Sequence, residues 1–463
     1  MRAPRFDDRS LLRYAPGYVI REFRPALDWS DYPGEAGGLQ GAVEMCNNNG
    51  ACRALAGGVM CPSYRATRDE QHVTRGRANS LRLALSGQLG PDALASDAMA
   101  DTMRLCVSCK ACRRECPASV DMARMKMEVQ AARAAKHGFS LRDRLVGFLP
   151  RYAAIGGRLA PLLNLRDRLP PLARLSERLL GLSARRTLPV WRRDRFRPPQ
   201  NASGPEGGPE VVLWADTFNA TFERETIDAA LVTLVSAGYR VHIARAATGS
   251  RPLCCGRTFL STGDVARGRA ELSRSLAALA PFLRRGVPVV GLEPSCLLSF
   301  RDEALALLPG EDSRRLAAAA FLFEEFIVAE ARAGRFLPRF APVTLNALLH
   351  GHCHQKAFGA MASVQAALRL IPGLTVETIE ASCCGMAGAF GYQAETAAVS
   401  RAMGELSLLP AVRAASPDTL LIADGTSCRH QIRDGAQREA VHVARIFAAC
   451  LADGAPAMAA PSP

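Results

Sequence analysis

The pattern of apolar and polar positions changes near residue 210. Before this point, residues 74–86 and 119–136 have helical composition, and we predict a helix in each, with Ser119 capping the second. After it, short apolar runs alternate with helical stretches. Alternation of this kind predicts parallel sheets covered by helices.

The α/β pattern occurs twice. The first copy predicts a helix at residues 223–237, and the second predicts one at 360–370. The predicted strands, three in each copy, are residues 211–216, 239–244, 286–292, 347–354, 374–379 and 419–424. The order of the elements is the same in both copies, which indicates an internal repeat.

Each copy contains the tripeptide Cys-Cys-Gly, at residues 254–256 and 383–385. A further cysteine follows a predicted strand in each, Cys296 at 41 residues from Cys255 and Cys428 at 44 residues from Cys384. The similar spacing favours duplicated domains.

These patterns predict an α+β multidomain protein, in which an all-α dicluster ferredoxin-like domain precedes two repeated α/β Cys-Cys-Gly domains. The predicted units are a lead-in or docking segment (1–40), the helical domain (41–140), an Arg-rich helical connector with a flexible linker (141–209), the two repeats (210–340 and 341–452) and a disordered tail (453–463).

The helical domain carries the sequence pattern C-x2-C-x2-C-x3-C-P, formed by Cys106, Cys109, Cys112 and Cys116. This is the bacterial ferredoxin spacing for a [4Fe-4S] cluster, in which the fourth cysteine binds the other cluster of a pair. Crossed ligation predicts one cluster held by Cys106, Cys109, Cys112 and the upstream Cys61.

The second cluster is then predicted to use Cys46, Cys52 and Cys116, with Asn49 or another group where a fourth thiolate is expected. Thiolates hold such clusters better than an amide oxygen does. This site is therefore expected to hold a [3Fe-4S] cluster, or a [4Fe-4S] cluster with one weakly held iron. Zinc is the alternative metal for both groups, but three short gaps and two Cys-Pro endings favour clusters.

The second repeat offers four more cysteines at strand ends, where α/β folds bind ligands: Cys353, Cys383, Cys384 and Cys428. We predict a further cluster or metal site there. His352 and His354 could tune or ligate it, although strand-end histidines, and His430 with them, usually only form hydrogen bonds. The first repeat has Asp216 or Asn219 where a fourth cysteine is expected, and is interpreted as structural. Cys450 is interpreted as a buried apolar residue.

Composition limits the remaining possibilities. The 463 residues contain fifteen cysteines in clusters and no export signal at the N-terminus, which indicates metal binding in the cytoplasm. The net charge is +14, and residues 142–197 hold fourteen arginines against four acidic residues. This stretch lacks the aromatic interleaving of a single-strand nucleic-acid binder, so solvated helix faces are favoured over a docking surface.

Several runs of the chain carry a likeness to a known family: residues 24–29, 46–50, 60–65, 68–72, 74–79, 251–259 and 292–296. Through them the sequence resembles the iron–sulfur half of bacterial FAD-linked 2-hydroxyacid dehydrogenases, particularly the fused type that is similar to D-2-hydroxyglutarate dehydrogenase. It is more distantly similar to the glycolate oxidase iron–sulfur subunit, and its Cys-Cys-Gly repeats resemble those of heterodisulfide reductases.

The resemblance implies that electrons from a D-2-hydroxyglutarate, D-lactate or glycolate class of substrate reach this chain through FAD. The chain has no G-x-G-x-x-G pattern after a strand, so FAD is expected in a partner dehydrogenase subunit and no catalytic residue is expected here. The expected acceptor is a quinone or carrier protein. Contact with the inner membrane is expected to be peripheral at most, and no nucleic acid is expected.

Two alternative functions remain from the sequence. The first is thiol–disulfide chemistry at the Cys-Cys-Gly sites, as in heterodisulfide reductases. The second is a zinc-stabilised, arginine-rich module that binds nucleic acid.

Overall fold

The computed structural model describes residues 23–32, 37–246, 251–336 and 338–452. The cysteine-rich region is helical within these residues. Its helices are α1 (Gly38–Glu44), α2 (Pro62–Thr67), α3 (Thr74–Leu85), α4 (Asp97–Arg104), α5 (Ala111–Glu115) and α6 (Met122–His137), with 3-10 turns at Ala51–Arg53, Glu70–His72 and Ala93–Ala95.

The two predicted helices of this region are present, but the predicted cap is wrong. Helix α6 begins after Asp121, whose Oδ1 accepts a hydrogen bond from the backbone N–H of Arg124 at 3.1 Å. Ser119 has a left-handed backbone with φ +49° and lies in the preceding turn. An aspartate at the first free N–H groups caps the helix as well as a serine would.

The arginine-rich connector follows as four consecutive helices. They are α7 (Leu141–Arg158), α8 (Ala160–Leu163), α9 (Leu165–Arg168) and α10 (Pro170–Leu180). A capping box between Ser140 and Asp143 starts α7, and Gly181 ends α10 in a left-handed conformation.

The first α/β repeat contains a sheet of four parallel strands in the order β2-β1-β3-β4. Its elements are β1 (Glu210–Trp214), α11 (Thr217–Phe222), α12 (Arg224–Ser236), β2 (Arg240–His242), α13 (Arg257–Leu260), α14 (Val265–Leu283), β3 (Val289–Gly291), α15 (Pro294–Arg301), α16 (Glu303–Leu307), α17 (Glu311–Ala319), β4 (Ala320–Leu322) and α18 (Phe323–Arg332).

The second repeat has the same topology, with four parallel strands in the order β6-β5-β7-β8. Its elements are β5 (Leu345–Leu349), α19 (Cys353–Ala357), α20 (Met361–Leu368), β6 (Leu374–Thr378), a 3-10 turn (Gly388–Tyr392), α21 (Ala397–Glu405), α22 (Leu408–Ala414), β7 (Leu420–Ile422), α23 (Thr426–Ala436), β8 (Ala440–Val441) and α24 (Val443–Ala449).

The mixed helical and parallel-sheet architecture is confirmed. All six strands expected from the sequence are present, although each is shorter than predicted, and β4 and β8 were not predicted. Both extra strands have three residues or fewer, which is too short for a period-2 pattern to be recognised.

The two repeats pack on each other reciprocally. Helix α12 packs against α24, and its counterpart α20 packs against α18. Their aromatic side chains meet in one apolar core, where the rings of Phe323 and Phe447 lie edge to face at 5.8 Å. Buried polar contacts also cross between the repeats, such as Arg429 Nε to Glu223 Oε2 at 2.7 Å. The carboxyl ends of both sheets are thereby held in fixed positions.

The predicted flexible linker and the described part of the predicted lead-in or docking segment both bind the rest of the chain. Ser203, in the predicted flexible linker, exchanges two backbone hydrogen bonds with Val241 of β2, at 2.9 and 2.7 Å. In the lead-in segment, the buried carboxylate of Glu128 accepts hydrogen bonds from the backbone of Ala26 and Leu27 and from Trp29 Nε1, each at 2.8 Å. The predicted disordered tail lies outside the described residues.

Candidate metal centres

Four thiols of the helical region line one cavity. They come from the residue before α2, the loop between α4 and α5, and α5 itself: Cys61, Cys106, Cys109 and Cys112. The loop turns tightly because Ser108 and Lys110 both have left-handed backbones, with φ +49° and +61°. The chain therefore wraps its closely spaced cysteines around one point, and Cys61 approaches from the other side.

Backbone N–H groups contact the sulfurs of this group. The pairs are Ala111 with Cys109, Met122 with Cys112 and Tyr64 with Cys61. Hydrogen bonds of this kind stabilise a thiolate and help to set the reduction potential of an iron–sulfur cluster. Burial raises the pKa of Cys109 and Cys112 well above the ordinary thiol value, so the free thiols are neutral.

A buried arginine faces Cys61. Arg77 is completely buried, and its Nη1 lies 3.7 Å from Cys61 Sγ while Nη2 donates to Ser63 Oγ at 3.1 Å. Burial alone would raise the pKa of Cys61, but the charge of Arg77 and hydrogen bonds from Ser63 and Thr74 outweigh it and lower this pKa. Arg77 and these hydrogen bonds therefore stabilise negative charge on Cys61 within the cavity.

The second cysteine group lies beside the first. Cys46 follows α1 and Cys52 lies in the 3-10 turn. Burial is the main reason why the pKa of Cys52 is raised to about 11, and the charges of Cys61 and Cys46 both contribute to raising this pKa. Cys116 ends α5, and its neighbour Glu115 accepts hydrogen bonds from the N–H groups that precede Cys61.

Asn49 is not placed as a ligand in this structure. It is exposed, and its Oδ1 accepts a hydrogen bond from the N–H of Ala51 at 2.9 Å, while its Nδ2 donates to Asn47 Oδ1 at 2.6 Å. Both ends of the amide serve the turn between Cys46 and Cys52, so the interpretation with Asn49 as the fourth donor is not supported by the geometry.

The four cysteines of the second repeat converge at the carboxyl end of its sheet. They are buried and form a continuous series of thiol contacts, from Cys353 to Cys383, from Cys383 to Cys384, and from Cys384 to Cys428. A hydrogen bond from Cys383 is the main cause that lowers the pKa of Cys353 to about 6. Thiols in a connected series of this kind suit a metal or cluster.

Gly385 lets the backbone wrap this pair of cysteines. It has φ +88°, and its N–H donates to Cys383 Sγ at 3.4 Å. A Cβ atom there would overlap the carbonyl oxygen of Ser400. Gly256 has φ +85° and the same contact with Cys254, also at 3.4 Å, so both repeats build the tripeptide in the same way.

His350 belongs to this site and was not considered in the sequence interpretation. It follows β5, is 1% exposed, and places a ring nitrogen within 4.8 Å of the sulfurs of Cys384 and Cys428. Neither ring nitrogen has a nitrogen or oxygen partner among the residues that the structure describes, and the thiol of Cys384 is its polar neighbour. Burial lowers the pKa of His350 to about 4, so the imidazole is neutral.

The other three histidines near the cysteines have hydrogen-bonding roles, as interpreted from the sequence. His352 Nδ1 accepts from the N–H of His354 at 3.1 Å and caps α19. His354 contacts Arg257 and the carbonyl of Ser108 through its two nitrogens. His430 lies between the hydroxyl groups of Tyr392 and Thr187.

The first cysteine group and the second-repeat group are neighbours. After burial itself, the charge of Cys353 is the largest influence on the pKa of Cys109. Helix α5 packs against α19, and the buried Lys110 between them forms ion pairs with Asp302 and with Glu303, the latter at 2.7 Å. The two sets of thiols therefore face each other across one interface.

The first repeat brings together Cys254, Cys255 and Cys296, and no fourth cysteine of the described residues joins them. In each repeat a helix follows the central strand. Its first residue is Thr217 in the first repeat and Cys353 in the second, so Thr217 occupies the position of Cys353. Asp216 is the helix cap, which corresponds to His352, and Asn219 lies further along the helix. Burial is the main cause that raises the pKa of Asp216 to about 7.

Comparison with known proteins agrees with this construction. Residues 42–120, which contain both cysteine groups of the helical region, match the family model of the 4Fe-4S dicluster domain. No solved structure matches the chain.

The similar proteins are dehydrogenases or parts of dehydrogenases. D-2-hydroxyglutarate dehydrogenase of Pseudomonas putida is 28% identical over 89% of this chain and 43% of its own length. The Escherichia coli protein of the same name is 26% identical over 85% of this chain and 42% of its own length. A subunit of the anaerobic glycerol-3-phosphate dehydrogenase of Escherichia coli is 25% identical over 68% of this chain and 78% of its own length.

The chain thus spans less than half the length of the D-2-hydroxyglutarate dehydrogenases that it matches. The expected resemblance to the iron–sulfur part of such enzymes is confirmed, and an iron–sulfur electron-transfer role in dehydrogenases is supported. The similarity to a part of glycerol-3-phosphate dehydrogenase was not foreseen from the sequence. Among the described helices, none is both long and apolar enough to cross a bilayer.

Proposed function

We propose that this chain is the iron–sulfur electron-transfer module of a flavin-linked dehydrogenase. The observation that carries the proposal is the convergence of Cys61, Cys106, Cys109 and Cys112 on one cavity inside the dicluster match. Four thiolates with N–H donors and a buried cation suit a [4Fe-4S] cluster, which supplies reversible one-electron chemistry when bound.

The second cluster would be held by Cys46, Cys52 and Cys116. The proximity of Cys46 and Cys52, and the position of Cys116 at the end of the same helix that carries Cys112, support this assignment. With three thiolates, this site is proposed to hold a [3Fe-4S] cluster or a [4Fe-4S] cluster with one weakly held iron.

The electrostatic influence of Cys353 on Cys109 and the packing of α5 against α19 support a path from the helical domain into the second repeat. Cys353, Cys383, Cys384 and Cys428 are proposed to hold a further cluster or metal. In this arrangement the helical domain accepts electrons and the second repeat passes them on.

The donor is proposed to be FAD in a partner dehydrogenase subunit or domain. The similar D-2-hydroxyglutarate dehydrogenases are more than twice as long as the region that matches this chain. The unmatched part of those proteins is long enough to contain a domain that reacts with substrate. A 2-hydroxy acid is the proposed substrate class.

A quinone or a carrier protein is the proposed acceptor, reached at a membrane surface in the cytoplasm. The support is an exposed apolar face on the connector, where Leu162, Leu175 and Leu179 are 64%, 49% and 68% exposed. The surrounding arginines carry the charge that anionic lipids attract. Peripheral contact with the inner membrane is proposed on this basis.

A second candidate is thiol–disulfide chemistry in the second repeat. The observation that favours it is the pKa of Cys353, lowered to about 6 by its contact with Cys383. A thiolate next to a thiol is the arrangement that starts exchange with a disulfide.

Anaerobic purification of the full chain, with iron and sulfide analysis and EPR of the oxidised and reduced protein, tests the proposal. We expect a brown protein in which Cys109→Ser removes the iron of about one four-iron cluster. Cys450→Ser is the matched control, because Cys450 is buried and remote from the cysteine groups. A colourless protein that contains zinc and no sulfide would overturn the proposal.

The two proposed functions predict different activities for the Cys109→Ser variant. In the complex with its flavin partner, this variant should abolish acceptor reduction while substrate still reduces the flavin. Thiol–disulfide chemistry would instead survive Cys109→Ser and be lost in Cys353→Ser.

A further inference from the structure

His350 is a buried polar side chain whose hydrogen-bonding capacity is unused by nitrogen or oxygen groups within the described residues. Both of its ring nitrogens lack such a partner, and the ring is 1% exposed. Leaving such a buried group unpaired is destabilising, because its hydration is lost and not replaced. The backbone does not require a histidine here, since the N–H of His350 only donates an ordinary strand-end bond to the carbonyl of Ile422 at 2.8 Å.

Three other buried histidines in this part of the fold have both ring nitrogens engaged, and a fourth, His352, has a partner at Nδ1. His442, for example, accepts from the N–H of Ala444 at 2.9 Å and donates to the carbonyl of Leu292 at 2.9 Å. His354 and His430 likewise each have two partners. The available nitrogens of His350 are therefore a local feature and not a general property of this core.

The unused imidazole lies next to two cysteines. One ring nitrogen and the sulfurs of Cys384 and Cys428 all lie within 4.8 Å of one another. A single metal ion can contact three atoms at this mutual separation, because metal–sulfur and metal–nitrogen bonds are about 2.0–2.3 Å long.

The two repeats differ at this position. His350 follows the central strand β5, and the residue that follows the equivalent strand β1 is Ala215. The first repeat also has Thr217 in place of Cys353. The repeat that lacks the fourth cysteine thus also lacks the imidazole, as expected if both side chains serve one centre.

We propose that His350 is a ligand, with Cys384 and Cys428, of an iron centre in the second repeat, so that this centre has mixed thiolate and imidazole coordination. The inference rests on the proposed iron–sulfur function and deepens it by specifying iron for the second-repeat site, which was proposed above as a cluster or metal. A neutral imidazole in place of a thiolate makes the centre less negative, and such a replacement raises the reduction potential of iron–sulfur centres. The second repeat would then attract electrons from the all-cysteine group at Cys109.

The test uses the full chain, purified anaerobically after growth with [15N]histidine. Pulsed EPR of the reduced and oxidised protein should show a 15N coupling to one iron centre, and this coupling should disappear in His350→Cys. That variant should keep its iron, because a thiolate replaces the imidazole, and the reduction potential of the centre should fall.

His350→Leu removes the ligand and keeps the space filled. We expect it to lose the iron of the second-repeat centre while the EPR signals of the helical domain persist, which also shows that the chain is folded. His137→Gln, at an exposed histidine on α6, is the control and should keep both the iron and the coupling.

An unchanged iron content in His350→Leu, or a 15N coupling that persists in His350→Cys, would overturn the assignment. If the wild-type protein itself shows no EPR signals from the helical domain, the result counts against the proposed function and not against the assignment of His350.

Discussion

The Nε2–H of His354 donates a hydrogen bond to the backbone carbonyl of Ser108 at 3.0 Å. Ser108 lies between Cys106 and Cys109, and His354 directly follows Cys353, so one imidazole joins the loops of two cysteine groups. Its Nδ1 accepts from Arg257 Nη1 at 3.1 Å, which leaves Nε2 as the protonated nitrogen. A backbone carbonyl of the helical domain and side chains of both repeats thus meet at this ring.

Removal of this ring should weaken the interface. His354→Ala leaves the Ser108 carbonyl without its side-chain partner and leaves Arg257 Nη1 with only the carbonyl of Ser295, and we expect a loss of about 1–3 kcal/mol in the free energy of unfolding. Urea denaturation of the purified protein measures this loss. His137→Ala, which removes one hydrogen bond at an exposed position, should cost much less; equal losses for the two variants would contradict the role given to His354.

Arg77 should raise the reduction potential of a cluster held by Cys61. Its guanidinium is completely buried and lies 3.7 Å from Cys61 Sγ. A nearby positive charge favours the reduced state, which carries one more negative charge. Arg77→Met should therefore lower the potential.

An EPR-monitored redox titration measures this shift, and Arg77→Lys is the matched variant because it retains the charge. We expect its potential to lie between those of the wild type and Arg77→Met. If Arg77→Lys and Arg77→Met shift the potential equally, hydrogen bonding and not charge is the cause.

Gly385 should be intolerant of any side chain. Its φ is +88°, and an added Cβ would overlap the carbonyl oxygen of Ser400. Gly385→Ala should reduce the thermal stability of the protein and the occupancy of the second-repeat site. We expect the free energy of unfolding to fall by about 3 kcal/mol, which exceeds the cost of about 1–2 kcal/mol for the left-handed conformation alone.

Gly388 provides the control for Gly385. It also has a positive φ, +62°, but an added Cβ would meet nothing within 4 Å. Gly388→Ala should therefore show only the conformational cost of about 1–2 kcal/mol. Equal melting temperatures for the two variants would mean that the contact with Ser400 is not limiting.

The sequence predicted the parts of the fold that depend on local pattern. The strand expected at residues 211–216 is present as Glu210–Trp214, and the helix expected at 74–86 is present as Thr74–Leu85. Cysteine spacing indicated the dicluster domain, because ligands of one loop must be close in sequence. Strand β4 (Ala320–Leu322) was missed, since it interrupts an apolar stretch of helical composition and forms only through pairing with β3.

The unpredicted parts of the site depend on contacts between distant residues. His350 looks like any strand-end histidine in the sequence, and only the fold shows that its ring faces Cys384 and that no nitrogen or oxygen group of the described residues pairs with it. Asn49 has the spacing of a ligand, but its amide is used by a turn of its own loop. Spacing indicates which residues can meet, while side-chain hydrogen bonds decide which of them remain available.

The exposed leucines of α10 should mediate binding to anionic membranes. Leu172, Leu175 and Leu179 recur at helical spacing, and all three are exposed, whereas Ala173 faces the protein. Apolar side chains on one face and arginines beside them are typical of a helix that lies in a membrane surface. Replacement of the three leucines with serine should abolish co-flotation with vesicles that contain anionic lipid.

The same experiment separates lipid binding from non-specific adhesion. Val232, Leu345 and Leu406 are exposed apolar residues elsewhere on the described surface, and their replacement with serine should leave flotation unchanged. Binding should also weaken with neutral vesicles and at high salt, because the arginine contribution is screened. Equal flotation of the α10 variant and the wild type would assign this face to a protein partner, and the connector would then be the docking surface for the flavin subunit.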